Sequence, residues 1–170
     1  MAVLRPELLA GRTVALFGVA PVVQSRLSEL GARVETATSE SADAIVYDAA
    51  RAFGDGGHAG LRDAPARGWT AIRDVANDTL IPDKRRGKVV VIAPRPGAGA
   101  FAGAAIAALE NLARTLSVEW ARYGITATVI TPGNATTDDQ IAQLVCFLVS
   151  PAGDYYSGCR FSLGVVASAG

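Results

Sequence analysis

The sequence predicts an α/β protein, an open, parallel, three-layer sheet in which strands alternate with helices. Three observations carry that expectation. Short apolar runs rich in β-branched residues recur at 12–18, 43–50, 88–93 and 125–130 and suit strands buried on both faces of a parallel sheet. Helical patterns lie between most of them. Residues 100–133 then hold a complete helix-to-strand unit, AFAGAAIAALENLARTLSVEWARYGITATVITPG. Its residues Ile106, Leu109, Leu112, Leu116, Trp120 and Tyr123 recur at spacings of three and four, Gly124 breaks the helix, and the strand ends in Thr131-Pro132-Gly133.

In chain order, residues 12–18 form the first expected strand, closed by Gly18. A helix follows over 21–30, opened by Pro21 and ended by Gly31. The second strand is expected over 33–37 and the third over 43–50, with room between them only for a turn. Residues 51–67 are rich in Gly, Ala, Arg and Asp, show no periodicity and read as a surface loop. A helix is expected over 69–79, then a buried strand over 88–93, then a turn-rich link over 94–99 into the long helix. Thr136-Thr137-Asp138-Asp139 reads as an N-cap with acidic first-turn residues, for a helix reaching Val149. Residues 157–163 form the last strand. No repeat or long linker divides residues 1–170, so one domain is expected.

Composition narrows the function classes. Half the residues are hydrophobic and 19% are charged, which favours a packed core over disorder. Sixteen basic and sixteen acidic residues cancel without a basic stripe, so nucleic acid is not an expected partner. No apolar run reaches membrane-spanning length and no leader pattern opens the chain; a soluble cytoplasmic protein is expected. Cys146 and Cys159 fall in an expected helix and an expected strand, without metal spacing, and read as small hydrophobes. His58 is the sole histidine, in what reads as a Gly-rich loop, so neither a His-based metal centre nor a triad is expected.

The segment AALENLARTLSVEWARYGITATVITPG, from Ala107 to Gly133, resembles the central part of short-chain dehydrogenases/reductases. The β-α-β opening with Leu30-Gly31-Ala32, the run Asp43 to Ala50 and the run Ser157 to Leu163 resemble other segments of that family. The resemblance implies a Rossmann-like sheet of that family's type with deletions. An outer strand and helix between the second and third strands are missing, as is the substrate-covering loop after Gly133.

The resemblance also says where chemistry belongs. Family members use a tyrosine as proton donor, a lysine that lowers its pKa and holds the ribose, a serine that positions the carbonyl, and an asparagine in the proton relay. The matching positions hold Ala102, Ile106, Ala93 and Ala76, with Asn77 one residue off. None of these side chains can transfer a proton. In the phosphate turn only Gly18 survives; Val22 and Gln24 stand at the other glycine positions, and Pro21 removes a donor N–H. The ribose-binding acid is replaced by Thr38, with Glu40 close by, and Lys84 and Lys88 lie on the wrong side of a strand to replace the lysine. Asp48 offers a general base but reads as a loop cap. Gly18, Pro132 and Gly133 are therefore remnants, and no catalytic, cofactor-binding or metal residue is expected in this chain.

The retained parts imply assembly. The resemblance makes the helix over 101–123 one interface and the C-terminal helix and strand another. The expected partner is a homologous full-length short-chain dehydrogenase/reductase, itself holding NAD or NADP, or a second copy of this chain. An oxidoreductase with an altered site and a stand-alone regulatory homodimer remain the other readings. A large exposed apolar patch is expected on the long helix.

Overall fold

The structure, a computed structural model, describes residues 4–36, 41–82 and 86–164. Six strands form one parallel sheet: β1 (Thr13–Phe17), β2 (Arg33–Glu35), β3 (Ala44–Asp48), β4 (Lys88–Ile92), β5 (Thr126–Pro132) and β6 (Arg160–Leu163). Their spatial order is β2-β1-β3-β4-β5-β6. The α-helices are α1 (Pro21–Glu29), α2 (Ala50–Phe53), α3 (His58–Val75), α4 (Ala102–Glu119) and α5 (Asp138–Val149). This is the three-layer Rossmann-like sheet the sequence predicts, with the three-residue β2 at one edge.

Central strands bury both faces, and alternate residues serve opposite layers. Val89 and Val91 of β4 join Ile72, Leu109 and Leu116 in the core beneath α3 and α4. Val90 and Ile92 join Val23, Leu27 and Val145 beneath α1 and α5. After α4, a short 3₁₀ turn leads to Gly124, whose φ of 72° is the left-handed conformation that lets the chain reverse into β5.

Several boundaries differ from expectation. Residues 51–67 are not a surface loop: they hold α2 and most of α3, and His58 is the first residue of α3. The buried stripe of α3 runs Gly60, Ala64, Gly68, Ile72, Val75. Its first three members are small, so helical spacing is present without a hydrophobic signal. The expected helix over 69–79 is thus the second half of a longer one, continuing through a π turn over Ala76–Leu80. β5 runs on through Thr131 and Pro132, so that only Gly133 of the expected turn lies beyond the strand. Cys146 is buried, but Cys159 is half-buried and precedes β6. Position 37, expected to end the second strand, lies outside the described residues.

The large apolar patch expected on α4 is not there. Among the described residues only Trp69, Val118 and Tyr155 are exposed large hydrophobics, because Leu109 and Leu116 point into the sheet. Among those residues no helix is long and apolar enough to cross a membrane.

Candidate functional site

β1 and β3 are neighbours although β2 lies between them in sequence, so the chain leaves this point toward both edges of the sheet. In open α/β sheets the crevice beyond the strand C-termini at such a reversal is the usual ligand site. Here it is a cleft of about 270 Å³, lined by Gly18, Asp48, Ala93, Arg95, Pro132 and Asp138 among others. Small-molecule pockets usually run to about 300–1,000 Å³.

Arg95 spans the cleft. From the loop after β4, its Nη1 donates to the Gly133 carbonyl at 3.0 Å and the Thr136 carbonyl at 2.5 Å. Its Nη2 donates to Asp138 Oδ1 at 2.9 Å, an ion pair at the start of α5. The neighbouring loops are joined too. Gly97 N–H donates to Asn134 Oδ1 at 2.8 Å, and the His58 and Phe101 rings meet at 4.3 Å. Gly133 N–H and Thr136 Oγ1 donate to the Leu163 carbonyl at 2.7 and 3.1 Å. The loops that would admit a ligand thus bind one another.

Asp48 ends β3 at the cleft, and its Oδ1 accepts from Ala50 N–H at 2.9 Å, the loop-capping contact its position suggests. Burial pushes its carboxyl up to about 6 and nearby Asp138 adds to this, while the Ala50 N–H and Arg95 oppose. It can therefore hold a proton near neutrality. Its neighbour Tyr47 is not a second proton carrier for the site. The Tyr47 hydroxyl is buried, donates to the Ala64 carbonyl at 2.7 Å, and is pushed up to about 12, chiefly by desolvation.

The family-matching positions scatter. Gly18, Ala93 and Pro132 line the cleft, and Gly133 lends its carbonyl to Arg95. Gly18 has a local reason to be glycine: φ is 71°, and a Cβ there would meet the Asp48 carbonyl oxygen at 2.8 Å. Val22 packs into the core beneath α1, and Pro21 opens that helix. Ala102 is buried, and Ile106 lies against the same core. Ala76 is buried where α3 passes into the π turn, on the way to the N-terminal end of β4, away from the cleft, and Asn77 is exposed. Thr38, Glu40 and Lys84 lie outside the described residues. Glu35, the last residue of β2, pairs through Oε1 with Arg33 at 3.2 Å, while its buried Oε2 has no partner among the described residues. Among those residues no group of acidic, His or Cys side chains could hold a metal.

Arg95 is the residue that sequence reasoning missed. Its one signal is a cation between two prolines, Pro94 and Pro96, in a link beside the expected active centre.

No protein-family model matches the sequence, and no curated protein matches it. Solved structures do match in fold. The citronellol catabolism dehydrogenase of Pseudomonas aeruginosa superposes with a TM-score of 0.75 at 18% identity, over 95% of this chain and 96% of that one. A double mutant of a Serratia marcescens short-chain dehydrogenase/reductase gives 0.74 at 19%, over 92% and 97%. The 3-ketoacyl-(acyl-carrier-protein) reductase of Brucella melitensis, solved with NADH, gives 0.73 at 13%, over 91% and 97%. The chain therefore has the short-chain dehydrogenase/reductase fold.

Proposed function

We propose that this chain is a non-catalytic subunit built on the short-chain dehydrogenase/reductase fold, which supports or regulates a full-length active homologue in a mixed oligomer. The observation that carries this reading is Arg95. Where a cofactor-binding relative needs an open crevice, this guanidinium ties the loop after β4 to the start of α5. Ala102 and Ile106 stand where proton transfer and ribose binding would need tyrosine and lysine. NAD or NADP belongs to the partner in this reading.

The outer face of α4 suits close helix approach. Gly103, Ala104, Ala107 and Asn111 are exposed along it, and Val118 is 74% exposed further down. Trp69 of α3 is 39% exposed beside Trp120, at 6.3 Å between rings, with the Arg73 guanidinium 5.9 Å from it. Trp and Arg are the residue types that anchor interfaces. The C-terminal helix and strand, α5 and β6, form the second surface in this reading.

The test is light scattering of the chain alone and mixed with a full-length short-chain dehydrogenase/reductase from the same source. Ala107→Glu places a charge on the exposed face, whereas Ala105 is fully buried and a charge there would break the core. A mixed oligomer that Ala107→Glu dissociates, with both chains still folded, is expected. A chain that stays monomeric in every mixture would overturn the reading.

An oxidoreductase with an altered site is the second reading. Asp48, with its carboxyl near 6 in the cleft, and Glu35, whose Oε2 has no partner among the described residues, favour it. Calorimetric titration with NADH and NADPH decides: micromolar binding selects this reading, and no binding removes it.

A further inference from the structure

At the opposite end of the strands, beneath the N-termini of β4 and β5, lies a cavity of about 370 Å³. That is within the range of small-ligand pockets, about 300–1,000 Å³. Its walls include Arg86, Lys88, Ser117, Gly124, Asp154 and Ser157. Lys88 opens β4 with a side chain only 5% exposed, an unusual place for an ammonium. Three acceptors hold it. The Leu148 carbonyl lies 3.3 Å away, the Ser150 carbonyl accepts a short hydrogen bond, and Asp154 Oδ1 forms an ion pair at 2.5 Å.

These acceptors differ in kind. The two carbonyls belong to the C-terminal turn of α5 and its cap, where a cation is favoured by the helix dipole. Asp154 comes instead from a short strap, the 3₁₀ turn Pro151–Tyr155, and its side chain is half exposed. A half-exposed carboxylate is the acceptor most easily exchanged for another anion, since water can take over its solvation. Burial lowers the Lys88 pKa and the Asp154 carboxylate opposes this, so the buried cation depends on an anionic partner, a place that an incoming oxyanion can take over from Asp154. Arg86 is exposed at the same cavity. The Ser157 hydroxyl oxygen accepts from Ala127 N–H at 3.3 Å, which leaves its O–H to donate.

We propose that this cavity is a binding site for a small oxyanion, a carboxylate or phosphate group, which Lys88, Arg86 and Ser157 receive and for which Asp154 is the built-in stand-in. Binding exchanges one carboxylate on Lys88 for another anion and frees the strap that leads into β6. No covalent step is involved, and the site is independent of the cleft and of the assembly reading.

The probes are succinate and inorganic phosphate, titrated by calorimetry and by amide NMR at millimolar concentration. Asp154→Asn removes the internal competitor and keeps the side-chain shape; it is expected to bind at least one probe about tenfold more tightly than wild type. Arg86→Ala, at an exposed position that does not threaten folding, is expected to lose that gain. Amide exchange over 151–157 should quicken when the probe binds wild type. Preference for one probe assigns the oxyanion class. No binding by Asp154→Asn, equal affinity in wild type and Asp154→Asn, or unchanged affinity in the Arg86→Ala, Asp154→Asn double variant would each overturn the proposal.

Discussion

At the C-terminal ends of the strands, Arg95 reaches across a cleft and satisfies two carbonyls and a carboxylate on the segment leading into α5. At the N-terminal ends, Lys88 does the same for two carbonyls at the other end of α5 and a carboxylate beyond it. The parts are alike, but the surroundings differ. Arg95 is a third exposed and its contacts tie together the loops around a cleft of about 270 Å³. Lys88 is almost wholly buried, yet an open cavity remains beside it. The fold's usual ligand end is the one bound up in its own loops, and the usually structural end keeps the room. A charged side chain's role thus follows from what lies free around it, not from the number of partners it has.

The largest expected effect lies at the buried end. Lys88→Met removes the ammonium, which takes its donor from the Leu148 carbonyl, leaves the Ser150 carbonyl only the Gly153 N–H and strips Asp154 of its cation, and urea unfolding should show a loss of about 2–4 kcal/mol. A loss under about 0.5 kcal/mol would mean that water replaces the ammonium and that burial does not make this end the stronger one.

Asp48 gives the next effect, with opposite sign. Its folded pKa, about 6, lies above the ordinary carboxyl value of 3.8, so the native state holds the proton more tightly. The stability this provides is complete below about pH 4 and lost as pH rises through about 6. Asp48→Asn keeps the acceptor for Ala50 N–H and removes the titration. It should exceed wild type by on the order of 2 kcal/mol at pH 7.5, with the difference gone near pH 4. Parallel stability-pH curves for the two proteins would refute this.

Arg95→Ala is expected to be mildest, about 1–2 kcal/mol, because its partners at the cleft mouth can turn to water. Arg95 holds the Asp48 carboxyl down, so its removal should move that group above 6 by NMR titration. An unmoved Asp48 would separate the two residues and weaken the view of the cleft as one connected network.

Much of this was legible beforehand because it depends on local pattern. The β-branched runs of β1, β3, β4 and β5 and the apolar spacing of α4 announce themselves, as does the N-cap within Thr136–Asp139, which the structure completes as a capping box between Thr137 and Gln140. α3 was hidden since Gly60, Ala64 and Gly68 bury a helix face without hydrophobic bulk, and the Phe53 carbonyl against Gly60 and the Tyr47 ring against Gly68 explain why small residues are needed there. The sequence shows Ala102 and Ile106 where the resemblance expects a tyrosine and a lysine, which is the basis of the non-catalytic proposal.

What occupies the cleft was not readable. Arg95 and Asp138 are 43 residues apart, and Lys88 and Asp154 are further apart still. By itself the sequence determined the parallel α/β class and the strands and helices that carry an apolar pattern, since these rest on residue identity and short-range periodicity. Only the tertiary structure decided which cations meet which acceptors and where space is left, because those depend on which strand ends the sheet order brings side by side.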